Sequence, residues 1–186
     1  MDNPNHPILP RTRILENNAL LRIRIAEQDD AAKCVDYLNK IGYESDFLSF
    51  GPGEFDFSIE DERGYISKLS QSDNGLFLVA EVGAEIVGIL TFEGGARPRT
   101  RHTGELGISI AKSFWGLGIG RMLMEVLIEW AKASEVVRKL NLRVRVDNER
   151  AIKLYKDMGF KQEGVITRDI VIEGKSYDCL LMGRTV

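Results

Sequence analysis

The sequence predicts a mixed α/β domain: a mostly antiparallel sheet flanked by helices, with one parallel crossover. Three observations carry this. Runs with strand periodicity recur along the chain, among them LLRIRIA (20–26), GLFLVAEVGAEIVGILTFEG (75–94) and KLNLRVRV (139–146). Between them lie segments whose apolar residues fall at helical spacing, such as Ile119, Met122, Leu123, Val126, Leu127 and Trp130. The order is strand, two helices, three strands, helix, strand, helix, two strands, which is not the steady βα alternation of an all-parallel sheet.

Residues 1–19, with Pro4, Pro7 and Pro10, read as an N-terminal tail, and residues 20–186 as one domain large enough to bury a full core. LLRIRIA opens the sheet. Asp29 or Asp30 is placed to cap a helix through about Lys40, with Ala32, Val35, Tyr37 and Leu38 as its apolar residues. GYESDFLSFGPGEFDF (42–57) is aromatic, acidic and irregular around a Gly-Pro-Gly turn. Ser58, followed three residues later by Asp61, signals the start of a short helix reaching about Leu69. A hairpin turns near Gly83-Ala84. The basic stretch ARPRTRHTG (96–104) is a loop, and ELGISIA (105–111) is a further strand. A glycine-rich turn then opens a helix to about Ala133. KLNLRVRV alternates strictly. Asp147 or Asn148 caps a helix that Gly159 ends, and two antiparallel strands joined near Glu173-Gly174 complete the chain.

Composition narrows the function. With 44% hydrophobic and 28% charged residues, the chain has the make-up of a soluble globular domain. A net charge of −3 argues against nucleic-acid partners, and no apolar run reaches membrane-spanning length. The polar N-terminus has no apolar signal segment. Cys34 and Cys179 lie far apart, outside metal or redox spacing, which fits a reducing cytoplasm without a disulfide. His6 and His102 lack ligand company, so no metal site is expected.

The informative stretch is Trp115-Gly116-Leu117-Gly118-Ile119-Gly120, three glycines just before a strongly helical run. Glycine at a helix start costs about 1 kcal/mol relative to alanine. It allows positive φ and lets backbone N–H groups approach a ligand closely. With the unpaired N–H groups and the dipole of a helix N-terminus, it makes a site for phosphates. The alternative is a tight strand-to-helix turn with no ligand. The P-loop pattern fails because Gly120 is followed by Arg121 and Met122. The dinucleotide pattern G-x-G-x-x-G fails because its last position falls on Arg121 or Leu123.

This stretch resembles the Gln/Arg-x-x-Gly-x-Gly/Ala signature of the GNAT superfamily of acyl-CoA-dependent N-acetyltransferases, with Trp115 standing where Gln or Arg is usual. About thirty residues on, VDNERAIKLYKDMGFKQEG (146–164) resembles the family's Asn-x-x-Ala-x-x-x-Tyr-x-x-x-Gly-Phe pattern. The likeness covers residues 20–186 and is similar in type to bacterial ribosomal-protein and small-amine acetyltransferases. It implies a GNAT-type fold, acetyl-CoA as co-substrate, an amine acceptor and no metal. A homodimer would be compatible with it. It also implies cofactor contacts from Gly116, Leu117, Gly118, Ile119, Gly120 and Arg121 at the pyrophosphate. Main-chain groups of Ile108 and Ile110, beside a bulge at Gly107, would hold the pantetheine arm.

Acetyl transfer needs a neutral amine, a stabilised carbonyl oxygen and a proton for the departing thiolate. Asn148, Ile152 and Tyr155 are spaced to share one helix face. A phenol is protonated at neutral pH and can donate. By resemblance Tyr155 is the general acid, Asn148 contacts the coenzyme and Glu105 is the base that takes the ammonium proton. The competing assignments are a core tyrosine, a helix cap and a surface glutamate. Residues 44–62 hold seven carboxylates and no Lys or Arg, interleaved with Phe47, Phe50, Phe55 and Phe57. Glu54 and Asp56 are therefore candidate contacts for a cationic amine, against a solvated loop pinned by buried phenylalanines. RPRTRH (97–102) reads as an exposed hairpin loop. Two other readings stand beside a small-amine acetyltransferase: a protein N-terminal or lysine acetyltransferase, and a coenzyme A-binding regulatory module without turnover.

Overall fold

The computed structural model describes residues 9–186, so Pro4, His6 and Pro7 lie outside the described residues. Within them, eight strands form one sheet: β1 (Arg11–Ile14), β2 (Leu20–Ile25), β3 (Gly75–Val82), β4 (Glu85–Gly94), β5 (Thr103–Ile110), β6 (Lys139–Arg145), β7 (Lys161–Ile172) and β8 (Lys175–Thr185). Their order is β1-β2-β3-β4-β5-β6-β8-β7. Every neighbouring pair is antiparallel except β5 and β6. Four helices flank the sheet: α1 (Ala31–Gly42), α2 (Ile59–Ser70), α3 (Ile119–Ala133) and α4 (Glu149–Asp157). This is the mixed, mostly antiparallel architecture that the sequence predicts.

The layers follow from side-chain alternation. In β3, Leu76, Leu78 and Ala80 point into the core under α3, while Phe77 and Val79 point into the core under α1 and α2. A strand covered on both faces is apolar throughout, which is why GLFLVAEV shows no polar alternation. Ser58 caps α2 through a reciprocal box with Asp61, as its spacing predicts.

The tail expected over residues 1–19 does not extend that far. Arg11–Ile14 pairs with β2, Leu15 is buried, and Arg11 bonds Glu129 of α3 at 2.5 Å. An edge strand is held chiefly by main-chain pairing. RTRI, with a single apolar residue, therefore carries no burial pattern that could announce it.

A charged cluster ties β2 to the start of α1. Arg24 donates to Asp30 at 2.6 and 2.7 Å and to Glu81 of β3, and both carboxylates are buried. Burial pushes the Asp30 carboxyl up, but hydrogen bonds from Arg24 and from the Glu27 N–H outweigh it and hold the group below its ordinary range. A depressed carboxylate pKa contributes stability above the unfolded value near 4, lost as pH falls through the folded one. Arg24→Met strands two buried carboxylates. It should cost about 3–5 kcal/mol in urea unfolding at pH 7 and raise the pH at which the acid transition begins.

Candidate active site

β5 and β6 are hydrogen-bonded neighbours at only three positions: Thr103 opposite Lys139, Gly104 opposite Leu140 and Glu105 opposite Asn141. Beyond that fork the strands diverge. Asn141 Nδ2 closes the fork with bonds to Thr103 Oγ1 (2.7 Å) and Gly104 O (3.1 Å). A cleft of about 1570 Å³ opens from it, with Leu106–Ile110 on one wall and Leu142–Arg145 on the other. The Ala111 N–H donates to Val87 O and the Gly95 N–H to Thr103 O, so odd-numbered residues of β5 face β4. Alternation turns the main-chain groups of Ile108 and Ile110 into the gap. The bulge expected at Gly107 is absent: β4 and β5 stay in register from Gly88 opposite Ile110 to Gly94 opposite Gly104. Divergence from β6, rather than a bulge, exposes this backbone.

The glycine turn lies at the open end. Gly116 and Gly118 have φ of 89° and 80°, a region that disfavours side chains. Gly120 differs. A Cβ there would meet Leu154 at an ordinary 3.5 Å, so internal packing does not demand glycine. Ser58 and Asn148 cap α2 and α4 through side chains, whereas α3 has no side-chain cap. Its first intrahelical bond runs from the Met122 N–H to Gly118 O. The N–H groups of Ile119, Gly120 and Arg121 therefore have no intrahelical acceptor. Trp115 donates its indole N–H to Ile110 O at 2.7 Å, and the Arg150 guanidinium lies 5.4 Å from its ring centroid. The Arg13 guanidinium stands 3.9 Å from where a Gly118 Cβ would be.

On α4, Asn148 accepts from the Ala151 N–H at 3.2 Å, leaving its amide NH₂ to face the cleft. Tyr155 lines the cleft at 7% exposure, and burial pushes its phenol up to about 12. Ile152, expected on the same face, is not in the cleft wall; Ala151 and Leu154 are.

The other end of the cleft is built by the segment between α1 and α2. Phe50, Phe55 and Phe57 stack in series with centroids 5.3 Å apart. Arg145 anchors this segment. It donates to Asp46 O at 2.7 Å and to Asp147 at 2.6 and 3.0 Å, with its guanidinium 3.7 Å from the Tyr177 centroid and 4.9 Å from that of Phe47. Glu62 of α2 lines the same region.

The profile described as the acetyltransferase (GNAT) family matches residues 43–160, from the end of α1 to the end of α4. The chain belongs to the GNAT acetyltransferase family. A GNAT-family acetyltransferase from Streptococcus pneumoniae is similar in structure at TM-score 0.87 and 39% identity, covering 89% of this chain and 99% of that one. The L-amino acid N-acetyltransferase AaaT of Escherichia coli is 35% identical over 107 residues, 58% of this chain and 66% of its own length. The match spans 66% of AaaT, 44% of a spermidine N(1)-acetyltransferase of Vibrio cholerae and 40% of the N-alpha-acetyltransferase RimI of Mycobacterium tuberculosis. The structure of yncA from Salmonella typhimurium with its cofactor acetyl-CoA shares the fold at TM-score 0.78 and 19% identity, covering 89% of this chain and 93% of that one.

Within the GNAT cleft lie Glu105, Ile108, Ile110, Gly116, Gly118, Ile119, Gly120, Arg121, Asn148 and Tyr155. Leu117 does not line it, because its side chain packs against the main core. Glu54 and Asp56 do not line it either: both are exposed, and Glu54 accepts from the Gly51 N–H at 2.7 Å, closing the Gly-Pro-Gly turn. That turn leaves Glu54 and Asp56 exposed, while Phe50, Phe55 and Phe57 line the cleft. Glu105 receives a 2.9 Å bond from Arg143, and the Arg121 side chain turns to Asp157 at 3.1 Å. Glu62, Arg145 and Arg13 escaped a sequence reading. Glu62 is one acid among seven, and Arg13 lies in the presumed tail.

Arg145 generates a prediction about the aromatic wall. Arg145→Ala should cost about 1–3 kcal/mol, from charged hydrogen bonds and ring stacking. Limited proteolysis should then cut within residues 43–58 faster, at unchanged far-UV circular dichroism.

Proposed function

We propose that this chain transfers an acetyl group from acetyl-CoA to a primary amine by direct attack in a ternary complex. The observation that carries it is the uncapped start of α3, with its dispensable Gly120, opening on the gap between β5 and β6 opposite the buried Tyr155. Free N–H groups of Ile119, Gly120 and Arg121 suit a pyrophosphate, and a small residue at Gly120 leaves its approach open. Arg13 and Arg150 flank the turn and supply positive charge beside Trp115, which stands where the family usually has Gln or Arg. Main-chain groups of Ile108 and the N–H of Ile110 suit the amides of the pantetheine arm, and the Asn148 amide adds a further donor.

Tyr155 stays a neutral phenol at physiological pH because burial disfavours its anion. It is therefore a donor for the thiolate that leaves when the amine attacks. Direct attack is favoured over an acyl-enzyme because Cys179, the cysteine in the cleft wall, is pushed up to about 11 by burial and by neighbouring Asp169. A thiol held protonated is a weak nucleophile.

Acetyl-CoA and coenzyme A should each raise the melting temperature, by the equivalent of about 2.7 kcal/mol at a hundredfold excess over Kd, while NAD should not. Gly120→Ala, which the family's signature permits, should keep that shift, whereas Gly120→Val should lose most of it by pushing a branched side chain into the pyrophosphate's space. Tyr155→Phe should keep the shift and lower kcat about 10²-fold, measured as release of free coenzyme A thiol. A shift with NAD and none with acetyl-CoA would refute the reading.

A further inference from the structure

Glu62 projects from α2 into the acceptor end of the cleft, where it is 2% exposed. Its Oε1 has no hydrogen-bond partner among the described residues, the sole buried side-chain oxygen or nitrogen there so placed. A fold does not keep such a group for stability. An unpartnered buried carboxylate costs free energy that a glutamine or an apolar residue would avoid. It lies near Cys34 of α1 and Tyr65 of α2, and burial, with no charged partner, is what acts on its carboxyl. The other carboxylates of the wall are partnered or exposed: Glu44 accepts from the Lys112 N–H, Glu93 pairs with Lys68, Glu105 and Asp169 with Arg143 and Asp147 with Arg145, while Glu149 is exposed. A cation entering the acceptor end would find Glu62 free and Glu105 occupied.

We infer that Glu62 receives the ammonium group of the acceptor and takes its proton, making the amine nucleophilic. This rests on the acetyltransferase reading and names the acceptor as a primary ammonium. The R–NH₃⁺ group loses one proton to the Glu62 carboxylate and becomes R–NH₂. Its nitrogen bonds to the acetyl carbon, the C–S bond breaks, and the thiolate takes a proton from Tyr155. The phenolate recovers that proton from the new amide nitrogen, and Glu62 releases its own to solvent. The sum is R–NH₃⁺ plus acetyl-CoA giving the amide, coenzyme A thiol and one proton.

The groups facing Glu62 do not compete for this role. Burial pushes the Cys34 thiol of α1 up and the Tyr65 phenol of α2 up to about 12, so both stay neutral. Glu93 of β4, near Tyr65, is bonded to Lys68 at 2.5 Å. Burial raises Glu62 itself to about 7, near the value that suits a base at neutral pH.

The test is the pH profile of kcat/KM for wild type, Glu62→Gln, Glu62→Asp and Glu105→Gln. The acceptors are a panel of amino acids, spermidine and a peptide with a free N-terminus, with acetyl-CoA binding followed by thermal shift. Glutamine removes a buried charge, so Glu62→Gln should melt no lower than wild type above pH 7 and keep its acetyl-CoA shift. Wild type should show an acidic limb near pH 7. Glu62→Gln should lose about 10²-fold at pH 7, with the limb moved to the pKa of the amine itself and activity recovering at high pH. Glu62→Asp and Glu105→Gln should keep the limb. An unchanged profile in Glu62→Gln, loss of the limb in Glu105→Gln instead, or loss of acetyl-CoA binding in Glu62→Gln would each overturn the assignment alone. Wild-type enzyme that acetylates no amine would overturn the acetyltransferase reading beneath it.

Discussion

Two parallel strands that stay paired for three positions and then part determine most of what this molecule can do. The parting leaves the inward main-chain groups of Ile108 and the N–H of Ile110 without a strand to bond, while the Ile110 carbonyl is taken by the Trp115 indole. Backbone polar groups in that position need partners, from water or from a ligand that carries amides of its own. The same topology fixes where the anion site lies. α3 follows β5 directly and crosses to β6, so its N-terminus opens at the end of the sheet where the strands diverge. A gap lined by free peptide groups, beside a helix start with free N–H groups, is shaped for a molecule with an amide-bearing arm and a phosphate tail. The glycines are the local adjustment that lets that tail come close.

How much of this the sequence discloses depends on whether burial or main-chain pairing makes the feature. The β3–β4 hairpin, the amphipathic α3 and the capped α2 and α4 are side-chain features, and their patterns are legible. β1 is not, because an edge strand needs no apolar stripe. The fork is not, because divergence is a relation between two strands far apart in the chain, and each reads as an ordinary strand. That is also why a local bulge at Gly107 was the natural expectation and the wrong one. Glu54 and Asp56 have the right chemistry, but the sequence does not say which way a Gly-Pro-Gly turn faces. Glu62 follows a capping box, where acids are common for reasons of helix dipole alone. Its distinguishing property, burial without a partner, appears only once α2 is packed on the sheet.

Glu105 and Glu62, both on the cleft wall, illustrate how environment divides roles between like groups. Glu105 shares its charge with Arg143 at the fork and helps fix the spacing of β5 and β6. Glu62 is buried with no charged partner. The aromatic segment at the same end of the cleft is held by Arg145, which bridges Asp46, Asp147 and the rings of Phe47 and Tyr177.

The charge plan of the cleft then bears on turnover as well as on binding. At one end, Arg13, Arg150 and the start of α3 favour an anionic donor; at the other, Glu62 favours a cationic acceptor. Acetylation erases only the second attraction. The ammonium becomes a neutral amide, and the carboxylate that drew it in has nothing left to hold. A buried ion pair is strong while both charges persist, and its loss leaves a buried acid that is comfortable protonated near neutral pH. Product release is therefore built into the same unpartnered carboxylate that admits the substrate, and coenzyme A, still anionic, is left as the species held longer.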